Sequence, residues 1–153
     1  MIYVECYPDT ILVRTLTGLP QREVIHELKG KSGVVGQVSK RRDSRGLVDE
    51  DPMATPPPYL VRMEILQDVP ARGLRLLQDT ARGNHIVVLR PRLEDWIARA
   101  ARDAGIDLLD YNLPTDPRKL HQVINDYLPS YQRLVEDLKN SNRLEALHRL
   151  LNI

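Results

Sequence analysis

The fold is decided by residues 46–52, Gly46-Leu47-Val48-Asp49-Glu50-Asp51-Pro52. The apolar residues before Asp49 are typical of a buried strand, and the proline ends it. Side chains at i and i+2 of a strand lie on one side, so Asp49 and Asp51 are expected to share a face, with Glu50 opposite. Two carboxylates that close together repel each other unless a proton or a cation lies between them. We therefore expect a hard, oxygen-preferring cation here, Mg²⁺ or Mn²⁺.

The composition suits a single domain with a core of Leu, Ile and Val, since 42% of the 153 residues are hydrophobic, Phe is absent and Trp occurs once. A net charge of +1 neither favours nor excludes a polyanionic partner. The single cysteine, Cys6, excludes an internal disulfide and fits a reducing compartment. No signal sequence and no apolar run of about 18 residues is evident. We therefore expect a cytoplasmic protein without a membrane partner.

Strand and helix patterns alternate before residue 46. In order they predict a strand at 2–5, a helix at 10–17 capped by Asp9, a strand at 23–28, a loop at 29–33 and a helix at 34–42. Residues 11–13 would also suit a strand. This alternation favours an α/β fold with a mostly parallel sheet flanked by helices. Ligand groups gather at the carboxyl ends of such strands, where Glu5 and the Asp49/Asp51 pair fall.

The patterns after residue 52 are mixed and end in helices. Residues 52–58 predict a stiff loop, 59–67 are ambiguous, and 74–78 with 85–89 predict a hairpin, although its first arm could be helical. An amphipathic helix opens at Pro91 and ends at Gly105. We therefore expect an α/β domain at 1–110 and a C-terminal helical extension at 111–153 packed on it. A leftover leucine face of this tail could dock a partner or form a homodimer.

The acidic positions resemble those of the toprim domain, which topoisomerases, bacterial primases and nucleases of the overcoming-lysogenisation-defect type share. The resemblance lies in Val4-Glu5-Cys6, in Asp49 with Asp51, and in the stretch Arg92-Leu93-Glu94-Asp95-Trp96-Ile97. Asp9, four residues after Glu5, suits the nuclease branch. The resemblance covers roughly residues 1–105. The chain departs from the family at Cys6, where the family usually has glycine.

The resemblance implies a toprim-like fold and Mg²⁺-dependent phosphodiester chemistry. Asp49 and Asp51 would hold the metal, Glu94 or Asp95 would join a second metal site, and Glu5 would act as general acid/base or as a further ligand. A nuclease is favoured over a primase or a topoisomerase. The family also implies an ABC-type ATPase partner and a phage-defence or mobile-element setting. The alternative is a non-catalytic toprim-like binding or regulatory module that acts through its helical tail.

A basic run lies between the acidic positions, at Lys29, Lys31, Lys40, Arg41, Arg42 and Arg45. It is either a solvated helix face or a track for the phosphates of a nucleic acid, with DNA favoured over RNA. Ordinary structure also explains some of the acids, because Asp is common in turns and acids are favoured in a first helical turn. No pair of histidines has metal-ligand spacing, so zinc is not expected, and His121 is expected on a surface helix.

Overall fold

The computed structural model describes all 153 residues and contains one six-stranded sheet. Its strands are β1 (Ile2–Val4), β2 (Val24–His26), β3 (Arg45–Asp49), β4 (Glu64–Val69), β5 (Leu74–Asp79) and β6 (Asn84–Leu89), in the order β2-β1-β3-β6-β5-β4. The first four strands in this order are parallel, whereas β5 and β4 are added antiparallel. The expected mostly parallel sheet flanked by helices is confirmed.

The helices cover both faces of the sheet. They are α1 (Tyr7–Thr17), α2 (Gly30–Ser39), α3 (Pro58–Arg62), α4 (Leu93–Asp103), α5 (Pro117–Val123), α6 (Leu128–Leu138) and α7 (Asn142–Leu151). Helices α1, α4 and α5–α7 share the larger core, and α2 and α3 share the smaller one on the other face. No helix is long and apolar enough to span a membrane.

Several predicted boundaries were wrong near the start of the chain. Helix α1 begins at Tyr7, with Cys6 as its N-cap, because Pro8 fits the first helical turn. Asp9 is therefore a buried first-turn residue and not the cap, and the alternative strand at 11–13 is excluded. Helix α2 begins at Gly30, inside the predicted loop, and ends at Ser39.

The later elements follow the patterns more closely. The hairpin of β5 and β6 is present, and its register pairs Leu74 with Leu89. Helix α4 buries its predicted stripe, including Trp96 and Ile97, and ends before Gly105, whose φ is 71°. The ambiguous segment 59–67 divides between α3 and β4.

The C-terminal helices belong to the larger core, which joins residues of β1, α1, β6 and α4 to residues of the tail. Tyr131 and Leu147 are fully buried, and Leu150 and Leu151 are nearly so. The apolar faces of the tail are therefore turned into the protein. A partner or a second copy of the chain has no leucine face of the tail to dock on.

The chain changes direction between β1 and β3. From β1 it passes through α1 to β2 at the edge, and from β2 it returns through α2 on the other face to β3, beyond β1. Adjacent parallel strands whose connections leave in opposite directions create a crevice at their carboxyl ends. Gly46 lets α2 approach β3 closely, because a Cβ at this position would lie 2.9 Å from Val34 Cγ1.

Candidate acidic site

Four carboxylates meet at this crevice and form what we call the acidic cluster. Glu5 directly follows β1, Asp9 lies in the first turn of α1, Asp49 ends β3, and Glu94 lies in the first turn of α4. The charges of Asp9, Glu5 and Glu94 each raise the pKa of Asp49, so the four groups lie within electrostatic range of one another. Three of these positions were predicted as site residues, and Asp9 was predicted only as a cap and as a feature of the resemblance.

The acidic cluster is buried or half-buried, and none of its carboxylates pairs with arginine or lysine. Asp9 is 1% exposed and Glu94 is 6% exposed, whereas Glu5 and Asp49 are partly exposed. None of Glu5, Asp9 and Asp49 forms a salt bridge. A cluster of this kind pays a desolvation and repulsion penalty that protons or a cation must relieve.

Hydrogen bonds link the cluster across the elements that carry it. The Asp49 N–H donates to Glu5 Oε2 at 2.6 Å, and the Leu93 N–H donates to Asp49 Oδ1 at 3.1 Å. Glu94 Oε1 lies 2.9 Å from Nδ1 of His121 on α5. These bonds fix the ends of β1 and β3 against the beginning of α4.

Burial raises the pKa values of three of these carboxyl groups. The pKa of Asp49 is raised to about 9, mainly by burial and then by the negative charges of Asp9 and Glu5. The pKa of Asp9 is raised to about 8 by burial and by the charge of Glu5. Burial also raises the pKa of Glu5, although the Asp49 N–H and the charge of Lys31 oppose this. Without a cation, the cluster therefore holds protons near neutral pH, and the pKa of Glu5 is shifted in the direction that acid/base work requires.

Two buried polar atoms in this region have no hydrogen-bond partner. They are Asp9 Oδ1 and the hydroxyl of Tyr131, which α6 contributes. The Cys6 thiol beside them has its pKa raised by burial and by the charge of Asp9, so it is neutral and not a thiolate nucleophile.

Asp51 does not share a face with Asp49 as predicted. Strand β3 ends at Asp49, and Asp51 has a φ of 45°, in the left-handed region, so the two-residue alternation of a strand does not reach it. Its carboxylate pairs with Arg92 at 3.1 Å and is 40% exposed. Asp51 nevertheless lies close enough to raise the pKa of Glu5, and it therefore borders the cluster without belonging to it.

Cations surround the cluster at its rim. Lys31 Nζ donates to the backbone carbonyl of Glu50 at 2.7 Å, and Arg90 pairs with the Glu50 carboxylate at 2.7 Å. With Arg92, we call these the rim cations. Only Lys31 was predicted; Arg90 and Arg92 were missed because they follow β6, whose position next to β3 the sequence did not indicate.

The six predicted basic residues do not form one track. Lys29 and Lys31 stand at the beginning of α2, at the carboxyl edge of the sheet, whereas Lys40, Arg41 and Arg42 follow its end. Ten residues of α helix rise about 15 Å. Arg45 begins β3 at the same distant edge and donates to the Leu151 carbonyl. Four of the six residues therefore lie away from the acidic cluster.

Asp95 is half-buried beside Glu94, and it has no hydrogen bond or ion pair. One residue along a helix turns the side chain by about 100°, so Asp95 points away from the direction of Glu94. Of the two acids considered for a second metal site, only Glu94 joins the cluster. His121 was expected only on a surface helix, and neither it nor Tyr131 was predicted at the site, because both reach it from the tail through tertiary packing.

The donor set fits a hard divalent cation in chemistry and charge, since it consists of carboxylate oxygens, one of them without any partner. The arrangement, however, is not preformed: no group of three or more His, Cys, Asp and Glu side chains is placed so that it could hold a metal ion. The physical reason is visible in the hydrogen bonds, because Glu5 and Asp49 direct oxygens to backbone N–H groups and Glu94 directs one to His121. Binding a cation would require these side chains to reorient.

Comparison with protein-family models, with curated proteins and with solved structures gave no significant match, so the function has to be argued from the geometry of this site.

Proposed function

We propose that the chain is a toprim-type, divalent-metal-dependent nuclease that hydrolyses phosphodiesters, with DNA as the preferred substrate over RNA. The observation that carries this proposal is the acidic cluster: four carboxylates from the end of β1, α1, β3 and α4 gather in a buried or half-buried site, and none pairs with arginine or lysine. Retaining several mutually repelling carboxylates is costly for stability, which is a mark of functional sites.

The toprim assignment draws support from where the acids stand along the chain. One acid follows β1 and another ends β3, on adjacent parallel strands at the point where the connections diverge. The departure at Cys6 is sterically harmless, because its φ of −153° is extended backbone that any residue adopts. Cysteine in place of glycine therefore introduces no strain into the turn after Glu5.

Each residue of the site has a role in this proposal. Asp9, Asp49 and Glu94 would hold Mg²⁺ or Mn²⁺, an ion that would polarise a phosphoryl group and lower the pKa of a water molecule. Glu5 is partly exposed and has a raised pKa, so it takes the proton of the attacking water and can return it to the leaving oxygen. Asp51, at the border, completes the negative field.

The rim cations would bring the substrate to these carboxylates. A polyanion approaching the acidic cluster is repelled unless positive charge offsets that repulsion. Lys31 and Arg92 lie at the carboxyl edge, and Arg92 is 41% exposed, so both can reach phosphate oxygens from the solvent side. An ABC-type ATPase partner and a phage-defence or mobile-element setting are further proposals that rest on the resemblance alone.

Nicking of supercoiled plasmid in Mg²⁺ or Mn²⁺ tests the proposal. We expect activity that EDTA abolishes and that Asp49→Asn and Glu5→Gln lose by about 100-fold or more, since each removes a carboxylate that acts directly on the reaction. Asp95→Asn is the matched control, because it neutralises the acid next to Glu94 that lies outside the cluster. If plasmid, single-stranded DNA and RNA all remain intact, or if the cluster variants cleave as wild type does, the nuclease proposal fails.

A second candidate is a toprim-like binding or regulatory module without turnover. The observation that favours it is that the carboxylates are engaged by backbone N–H groups and His121 and are not arranged for a metal ion. Such a module could use only the polar outer surface of the tail for docking, since the tail's leucines are buried. Nucleic-acid binding measured by fluorescence anisotropy, together with intact substrate in the nicking assay, would favour this function over the nuclease.

A further inference from the structure

Helix α6 of the tail contributes a buried tyrosine that lies within electrostatic range of the acidic cluster. Tyr131 is fully buried, and α6 packs against α1, the helix that carries Asp9. The pKa of Tyr131 is raised by burial and then by the charges of Asp9, Cys6, Glu94 and Asp49. Its hydroxyl therefore lies in the field of the cluster, although residue 131 falls outside the part of the chain that resembles toprim domains.

A donor and an acceptor are left without partners at this place. The Tyr131 hydroxyl can donate one hydrogen bond, Asp9 Oδ1 can accept one, and both atoms are closed to solvent and unbonded. Buried polar groups in folded proteins are hydrogen-bonded in the large majority of cases, because an unmade bond costs free energy. An unbonded donor and an unbonded acceptor in the same region indicate a hydrogen bond that forms only when the side chains of the site rearrange.

We propose that Tyr131 is a positioning residue of the acidic cluster: when a divalent cation binds, its O–H donates to Asp9 and holds that carboxylate as a ligand. The inference rests on the proposed function and adds to it that the helical tail completes the site. A ligating carboxylate directs one oxygen to the cation, and its orientation then depends on a hydrogen bond to the other. Asp9 Oδ1 has no hydrogen bond, and the Cys6 thiol near Asp9 is only a weak donor, so the Tyr131 hydroxyl is the stronger donor available for this bond.

A purely structural tyrosine gives a different expectation. If Tyr131 only fills the core between α1 and α6, removing its hydroxyl leaves cation affinity unchanged. If it positions Asp9, the same change weakens cation binding while the protein without a cation becomes no less stable, because the hydroxyl has no partner in that state.

Isothermal titration of the full chain with Mn²⁺ tests the inference without any measurement of activity. We expect Tyr131→Phe to bind Mn²⁺ roughly 10-fold or more weakly than wild type, in the range usual for the loss of an outer hydrogen bond at a metal site. Tyr3→Phe is the matched control, since Tyr3 is also buried but packs in the smaller core on the other face of the sheet. It should bind Mn²⁺ as wild type does.

A double-mutant cycle separates this contact from a general loosening of the core. In an Asp9→Asn background, Tyr131→Phe should change Mn²⁺ affinity no further, because the carboxylate that it positions is already gone. Equal affinity of wild type and Tyr131→Phe, with Asp49→Asn binding more weakly, would overturn the inference and leave the proposed cation site standing. Absence of Mn²⁺ binding by wild type would overturn both.

Discussion

Neutralising Asp49 should make the cation-free protein more stable, which is the reverse of what most substitutions at a partly buried hydrogen-bonded residue do. Asp49→Asn keeps the acceptor for the Leu93 N–H and removes the carboxyl group whose ionisation is opposed by burial and by the charges of Asp9 and Glu5. The pKa of Asp49 is raised from 3.8 to about 9. The folded state therefore holds a proton that the unfolded chain releases above about pH 4.

The direction of the pH dependence follows from this difference. Stability from a raised carboxyl pKa is fully present below the unfolded value of 3.8 and is lost as the pH rises through about 9. Neutral pH lies about three units above the unfolded value, and each unit corresponds to about 1.4 kcal/mol, so the cost at pH 7 is at most about 4 kcal/mol. Because Asp9 and Asp49 raise each other's pKa, we expect Asp49→Asn to gain about 2 to 4 kcal/mol, or roughly 5–15 °C in Tm.

Thermal and guanidinium unfolding between pH 4.5 and 9, in EDTA, measure this effect. Wild type should lose stability across that range, Asp49→Asn should lose less, and the two should converge at the acid end. Asp126→Asn, an exposed carboxylate, is the control and should follow wild type. The reasoning is refuted if Asp49→Asn melts below wild type at pH 7, or if wild type is as stable at pH 9 as at pH 5.

Three further substitutions test other parts of the structure. Asn84→Ala should lower the free energy of unfolding by about 3 kcal/mol, measured in urea, because this fully buried amide bonds three backbone groups. Gly46→Ala should lower it by about 1 to 3 kcal/mol, since the new methyl group would meet Val34. Arg92→Ala should tighten Mn²⁺ binding by about threefold, because Asp51 loses its partner, and should weaken DNA binding in anisotropy measurements. A free energy of unfolding within about 0.5 kcal/mol of wild type, the range of ordinary surface substitutions, would contradict the expectation for Asn84→Ala or Gly46→Ala. Unchanged affinities for Mn²⁺ and DNA would contradict the expectation for Arg92→Ala.

The core of the acidic site could be predicted because it depends on simple geometry. Glu5 and Asp49 stand at the carboxyl ends of strands, and parallel strands bring such ends to one edge of a sheet. Glu94 was placed in a first helical turn by the amphipathic stripe of α4. In these cases, local patterns and one rule of topology were sufficient.

The errors arose where local alternation and tertiary packing disagree. Asp51 follows Asp49 by two residues, but the backbone turns into the left-handed region first. Asp9 has the residue type of a cap, and yet the helix starts three residues earlier than predicted, because Pro8 fits its first turn. The basic run is nearly continuous in sequence, but helix α2 lies between its two halves. The two halves therefore lie at opposite edges of the sheet. The position of Tyr131 near the acidic cluster depends on how α6 packs against the rest of the protein, and the sequence of α6 alone does not specify that packing.

The larger core has a consequence for when the acidic site comes into being. Its members include Leu147, Leu150 and Leu151 of α7, alongside residues of β1 and α1 that the ribosome makes earlier. Proteins are synthesised from the N-terminus, so more than a hundred further residues must be made after Glu5 and Asp9 before the core around them is complete. In a nascent chain these carboxylates would thus be hydrated and have ordinary pKa values, and their pKa values would rise only after helix α7 has packed against the core.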